Sequence, residues 1–211
     1  MKIQKFEQSG FIFESNSGFR LALDVGRYTP LDKTKELSAD AFLISHIHGD
    51  HFDIEKIISL SPRTLYLPDE CMSELGEDSF NFSLEKIQAW QEIKIGDFMV
   101  TVFPVDHGPN VSSPIRDNFG FLIECDGEDV YFAGDMFYES GMDVTSIEAD
   151  VALVPVGTFY TFGPQEAFDF IKRFKKIGKI IPMHYEKTPE TKEEFIKLAT
   201  NFGFSIQNQE L

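Results

Sequence analysis

The chain of 211 residues is poor in several things, and each shortage narrows its identity. It has only two cysteines, Cys71 and Cys125, far apart in sequence. They form no disulfide framework, and a reducing, cytoplasmic setting is expected. No apolar run approaches the roughly 18 residues of a membrane span, and no apolar segment follows the opening Met1-Lys2-Ile3-Gln4-Lys5. Neither a membrane association nor a secretory leader is therefore expected. Basic residues are scarce: 19 Lys+Arg stand against 35 Asp+Glu, a formal charge of −16. Phosphate backbones and anionic lipids reward the opposite balance, so no nucleic-acid partner is expected. There are only five histidines and one tryptophan. What is plentiful is phenylalanine, with 22 residues, enough for thick apolar layers. Trp90 and the phenylalanines are assigned to the core by default.

Short β-rich apolar runs recur: Phe11 to Phe13, Leu21 to Leu23, Ala41 to Ile44, Phe98 to Val105, Phe119 to Glu124, Val130 to Ala133, Val151 to Val156 and Lys179 to Met183. Their lengths and composition predict strands. Helical spacing appears in Ile54 to Leu60 and in Pro164 to Lys175, where Ala167, Phe168, Ile171 and Phe174 share a face. Thr188-Pro189 reads as an N-cap with proline in the first turn, followed by a stripe of Phe195, Leu198, Ala199 and Phe202. Residues 27–38 and 108–117 read as loops. Without a linker or a solenoid repeat, one mixed α/β domain over residues 1–211 is the expectation.

The chemistry concentrates in Ser45-His46-Ile47-His48-Gly49-Asp50-His51. In an extended chain, residues two apart point the same way, so His46 and His48 meet one ion. Asp50 and His51 fall where the chain turns into a helix and reach toward a second. Imidazole and carboxylate together suit zinc, iron, manganese or nickel. One segment cannot close two sites. The two remaining histidines, His107 and His184, each end a predicted strand, and Asp135 follows Val130 to Gly134 in the same way. Strand ends of this kind gather reactive groups in α/β proteins.

The pattern His46-x-His48-x-Asp50-His51, then His107, Asp135 and His184, resembles the metallo-β-lactamase superfamily. Tyr131 to Asp135, Ala149 to Gly157, Phe162 to Ala167 and Ile181 to Tyr185 resemble its small metal-dependent hydrolases, grouped with ascorbate-6-phosphate lactonase-like proteins. The resemblance implies an α+β fold, a four-layer αββα sandwich with a dinuclear site at the sheet edge. It implies two divalent ions, zinc first, with manganese or iron as alternatives. His46, His48 and His107 would hold one ion and Asp50, His51 and His184 the other, with Asp135 bridging. Asp50 would also orient the nucleophile, a hydroxide generated by the metal pair.

The expected substrate is a small molecule carrying a lactone, phosphodiester or related ester. A nuclease and a di-iron oxidoreductase of the same superfamily are the alternatives. Arg116, Tyr160 and Tyr185 are the candidate substrate contacts. Two departures touch the surroundings of the ligands: Glu7-Gln8-Ser9 stands where many relatives have Gly-His-Ser, and Met136 where many have Thr. The sequence leaves the oligomeric state open.

Overall fold

The computed structural model describes residues 1–29, 38–75, 80–109, 111, 115–137 and 143–207. Residues 30–37, 110 and 112–114 of the two expected loops lie outside these. Two sheets stack face to face. The first contains β1 (Lys2–Lys5), β2 (Phe11–Glu14), β3 (Arg20–Leu23), β4 (Ala41–Leu43), β5 (Thr64–Leu67) and β6 (Ser83–Lys86), side by side in chain order. Its outer face carries α1 (Ile54–Leu60) and α2 (Asp69–Leu75). The second contains β7 (Glu92–Ile95), β8 (Phe98–Pro104), β9 (Phe119–Cys125), β10 (Glu128–Phe132), β11 (Glu148–Pro155), β12 (Lys176–Met183) and β13 (Ser205–Ile206), also in chain order. Its outer face carries α3 (Pro164–Ile171) and α4 (Pro189–Phe202).

Three apolar layers cement the four structural ones. Phe11, Phe13, Leu21, Leu43, Phe98, Phe121, Phe132 and Leu153 fill the gap between the sheets. Phe42, Ile57, Leu65 and Cys71 pack the first helical layer, and Tyr131, Phe162, Phe170 and Phe195 the second. Period-two alternation explains the division: Tyr131 faces α3 and α4, whereas its neighbours Val130 and Phe132 face the other sheet. This is the αββα sandwich. Cys71 and Cys125 are both free and buried, in different layers.

Strand direction positions the chemistry. β8 and β10 both pair antiparallel with β9, so they share a direction. β10, β11 and β12 are mutually parallel. The C-terminal ends of β8, β10, β11 and β12 therefore emerge on one edge. In the first sheet β3, β4, β5 and β6 are parallel in the same way. The two edges are stitched together by Phe119 N–H donating to Ser45 O (3.2 Å) and His184 N–H donating to Gln8 O (3.1 Å).

The structure departs from the sequence reading in a few places. β1, β6, β7 and β13 were not legible as apolar runs. They are the four sheet edges; lysine and glutamate break the runs of β1, β6 and β7, and β13 is only two residues long. The short β5 and α2 add to the first half. Trp90 is not core: it is 68% exposed, and its ring meets Phe103 edge-on. Phe159 and Phe202 are exposed as well, the latter at the frayed end of the stripe on α4. Thr188 precedes α4 but makes no side-chain cap. Its hydroxyl donates to Gly157 O instead (2.8 Å).

Candidate metal centre

All seven ligand-type side chains singled out in the sequence meet where the two edges join. His46, His48 and His107 offer ligand atoms within 4.8 Å of one another, and so do Asp50, His51 and His184. Asp135 lies between the two groups. Its Oδ2 stands 3.1 Å from His51 Nε2, 3.4 Å from His107 Nε2 and 3.0 Å from His184 Nε2. His46 and His51 rings are 4.1 Å apart, and His48 and His107 rings 4.8 Å.

Local structure explains each placement. β4 ends at Leu43, and the chain then runs through Ser45 and His46 into a turn closed by His51 N–H and Phe52 N–H donating to His48 O. Asp53 then caps α1, its carboxylate accepting from Lys56 N–H (3.2 Å). His107, Asp135 and His184 each follow a strand of the second sheet, β8, β10 and β12. Close backbone approach is built in with glycine. A Cβ on Gly157 would lie 1.8 Å from His184 O, and one on Gly26 would lie 1.9 Å from Asp50 O. Left-handed backbone at Gln8, Asp24, Thr158, Phe159 and His184 is concentrated here, as strain is at functional sites.

One residue that the sequence reading did not single out organises the centre. Asp24 is fully buried at the end of β3. It accepts from Ser45 N–H (2.8 Å), from Ser45 Oγ (2.6 Å) and from His51 Nδ1 (2.8 Å). A carboxylate only accepts, so His51 carries its proton on Nδ1 and turns Nε2 toward Asp135. Ser45 Oγ, having donated to Asp24, lies 2.9 Å from His46 Nδ1 and fixes that ring in turn. Asp24 could have been found by the signal that finds Asp135, an acid placed just after a β-rich run. Gln8, noted as a departure, donates to Asp50 Oδ2 (3.1 Å) and holds that carboxylate in place. Met136 packs into the apolar layer beneath the second sheet.

The electrostatics are those of ligands awaiting positive charge. Burial pushes the Asp135 carboxyl up, but the charges of His184 and His51 outweigh it, and the group sits well below its usual range. Burial alone would lower His51, yet Asp135 and Asp24 hold it well above the ordinary value. His184 is likewise lifted to about 9, by Asp135 against the effect of burial. His46 is driven well down by burial and then by the charge of His51. Among the described residues, His46 Nε2, both ring nitrogens of His107, His51 Nε2 and Asp135 Oδ1 are buried without a hydrogen-bond partner. Buried polar atoms are seldom left so. Orphaned imidazole nitrogens and a carboxylate oxygen converging on one point fit divalent metal ions.

A cavity of about 370 Å³ opens on this cluster, lined also by Gln8, Arg27, Tyr28, Tyr160 and Lys187. Of the candidate substrate contacts, Tyr160 lines it and the other two do not. Arg116 is turned toward Glu70 (3.7 Å) and lines a neighbouring hollow. Tyr185 is buried against α4, with Lys5 and Lys192 over its ring. The strand β12 ends at Met183, and the left-handed backbone of His184 turns the chain there, leaving Tyr185 packed on α4.

Comparison with known proteins agrees with this geometry. Residues 2–184 match the family model of the β-lactamase superfamily domain. A UPF0173 metal-dependent hydrolase of Thermococcus kodakarensis is 31% identical over 187 residues, covering 79% of this chain and 77% of the relative. Another, from Pelotomaculum thermopropionicum, is 28% identical over 205 residues, covering 90% and 86%. The solved structure of Igni18, a metallo hydrolase from Ignicoccus hospitalis, aligns with a TM-score of 0.79 at 22% identity, covering 99% of this chain and 94% of that one. That last likeness speaks to the fold. The chain belongs to the metallo-β-lactamase superfamily, among its metal-dependent hydrolases.

Proposed function

We propose that this hydrolase holds two divalent cations, zinc before manganese or iron, and cleaves an ester-like bond, a lactone or phosphodiester among them, in a small organic molecule. His46, His48 and His107 would hold one ion, Asp50, His51 and His184 the other, and Asp135 would be shared. The observation that carries this reading is the meeting of two three-residue ligand groups across one buried carboxylate. When bound, the ion pair supplies Lewis acidity and a water acidified toward neutral pH.

The protein's own residues do the rest. Asp24 and Ser45 fix the rings of His51 and His46, so their Nε2 atoms point inward. Asp50 Oδ2, steadied by Gln8, orients the attacking water and takes its proton. The cavity matches a small ligand in volume, and the charge of −16 disfavours nucleic acid. Two buried, unpaired cysteines suit a reducing, cytoplasmic setting. Among the described residues, no helix is long and apolar enough to cross a membrane.

The test combines elemental analysis of protein purified without chelator with a panel of lactones, esters, phosphodiesters, thioesters and β-lactams. Close to two transition-metal ions per chain and turnover of one class are expected. One ion or none at saturation would overturn the dinuclear assignment.

A further inference from the structure

The mouth of the cavity carries a feature that the hydrolytic chemistry leaves unused. Arg27 and Lys187 come from opposite sheets, yet both heads lie against one ring: Arg27 Cζ is 5.9 Å and Lys187 Nζ 4.6 Å from the centroid of Tyr28. Both residues line the cavity and are exposed. Asp135, by contrast, is buried at its floor. The Arg27 guanidinium also lies across Gly49, beside the ligand segment, where an added Cβ would stand 2.3 Å from its Nη2. The chain has 35 acidic residues. Among the described residues Lys2, Lys5, Lys86, Lys172 and Lys175 are ion-paired, whereas Arg27 and Lys187, like Lys94, Lys176, Lys179 and Lys197, are not; what sets the two apart is their place at the cavity. Two cations thus flank one tyrosine at a cavity mouth, and among the described residues neither head is in an ion pair.

Both are held on braced backbone. The buried ammonium of Lys56 donates to Gly26 O (2.8 Å), Arg27 O (2.6 Å) and Thr29 O (2.5 Å), pinning the turn that carries Arg27 and Tyr28. The bond from Thr188 Oγ1 to Gly157 O pins the segment that carries Lys187. Around them stand Tyr28, Phe159 and Tyr160, at 41%, 65% and 48% exposure, three of the seven large apolar side chains exposed among the described residues. Phe159 and its neighbour Thr158 adopt left-handed backbone, a conformation that costs free energy and presents these aromatics outward. A guanidinium fork and an ammonium recognise oxyanions, and exposed aromatic faces take apolar surface.

We infer that Arg27 and Lys187 form a receptor for a carboxylate or phosphate on the substrate, so that the molecule hydrolysed is an organic anion. Its charged end sits at the mouth, its apolar body against Tyr28, Phe159 and Tyr160, and its scissile bond at the cluster. This deepens the proposed hydrolysis and takes the site from it.

The experiment is equilibrium binding to the full-length, metal-loaded protein, read by calorimetry, with three probes: phenylacetate, phenyl phosphate and benzyl alcohol. The anions are expected to bind about tenfold or more tighter than the neutral alcohol. The R27A/K187A double variant, with its metal content checked, is expected to lose that preference. Tighter binding of phenyl phosphate would assign phosphate, and tighter binding of phenylacetate would assign carboxylate. No preference in the wild-type protein, or a preference that survives in the double variant because the cluster alone holds the anion, overturns the inference. Failure to hydrolyse any member of the substrate panel would instead remove the proposed reaction and leave the binding result standing.

Discussion

The two sheets supply the centre in opposite ways. After β4, the first delivers His46, His48, Asp50 and His51 from one turn, and it adds Asp24 from the next strand to orient His51. The second delivers His107, Asp135 and His184 singly, from the ends of three strands. The first contribution is local and survives small movements of the sheets. The second depends on register and on the apolar layer between the sheets. A dense ligand turn can therefore be written in a few residues. Closing it requires most of the fold.

Asp135, the point where the two contributions meet, should be the most damaging residue to change. Asp135→Ala is expected to lower activity on the order of 10²- to 10³-fold or more and to reduce the metal content, as read by kinetics and elemental analysis. Unchanged activity would break the assignment of a shared ligand. Phe132→Ala, in the layer between the sheets, is expected to cost about 3–5 kcal/mol of stability. It should also loosen His184 and Asp135 before the His46 turn, visible as faster amide exchange after β10 and β12. Asp24→Asn, on the side of the first sheet, leaves the packing in place but removes an acceptor that fixes His51. About a 10- to 100-fold loss of metal affinity is expected, measured by competition with a chelator.

Acid sharpens the same comparison. His184, lifted to about 9, and His51, also held above its ordinary value by Asp135 and Asp24, hold protons that a metal must displace. Affinity should rise with pH below that range and fall on acidification, by about tenfold per pH unit for each proton displaced. A flat profile between about pH 8 and about pH 6 would contradict this. The smallest effect belongs far from both contributions. Trp90→Ala, at an exposed position, is expected to change stability by less than about 0.5 kcal/mol, followed by thermal unfolding.

Legibility followed the same division. The strands of the sheet interiors apart from the short β5, together with α1, α3 and the start of α4, announce themselves by period and by capping residues. The edge strands β1, β6 and β7 do not, because charge interrupts them, and β13 does not, because it is two residues long. The ligand-type residues stand out because the histidines are so few and each ends a strand. Asp24 carries the same signal as Asp135, an acid just after a β-rich run, but no motif of the resemblance includes it. Tyr185 and Arg116 looked suitable because they lie near ligands along the chain. The left-handed turn at His184 leaves Tyr185 packed on α4, and Arg116 is turned toward Glu70. Arg27 drew no notice, since nothing in the sequence sets it near Lys187.

By itself the sequence determined the mixed α/β character, through the periods of its apolar residues, and the kind of chemistry, through the grouping of imidazoles and carboxylates. Those properties are local and survive being read along one dimension. Only the tertiary structure decided that Asp135 stands within 3.4 Å of three histidines from different strands, that Asp24 orients His51, and that two cations share one tyrosine at the cavity mouth. Distances between residues far apart in the chain are set by strand direction, register and the packing of one sheet on another, and no short stretch of sequence contains them.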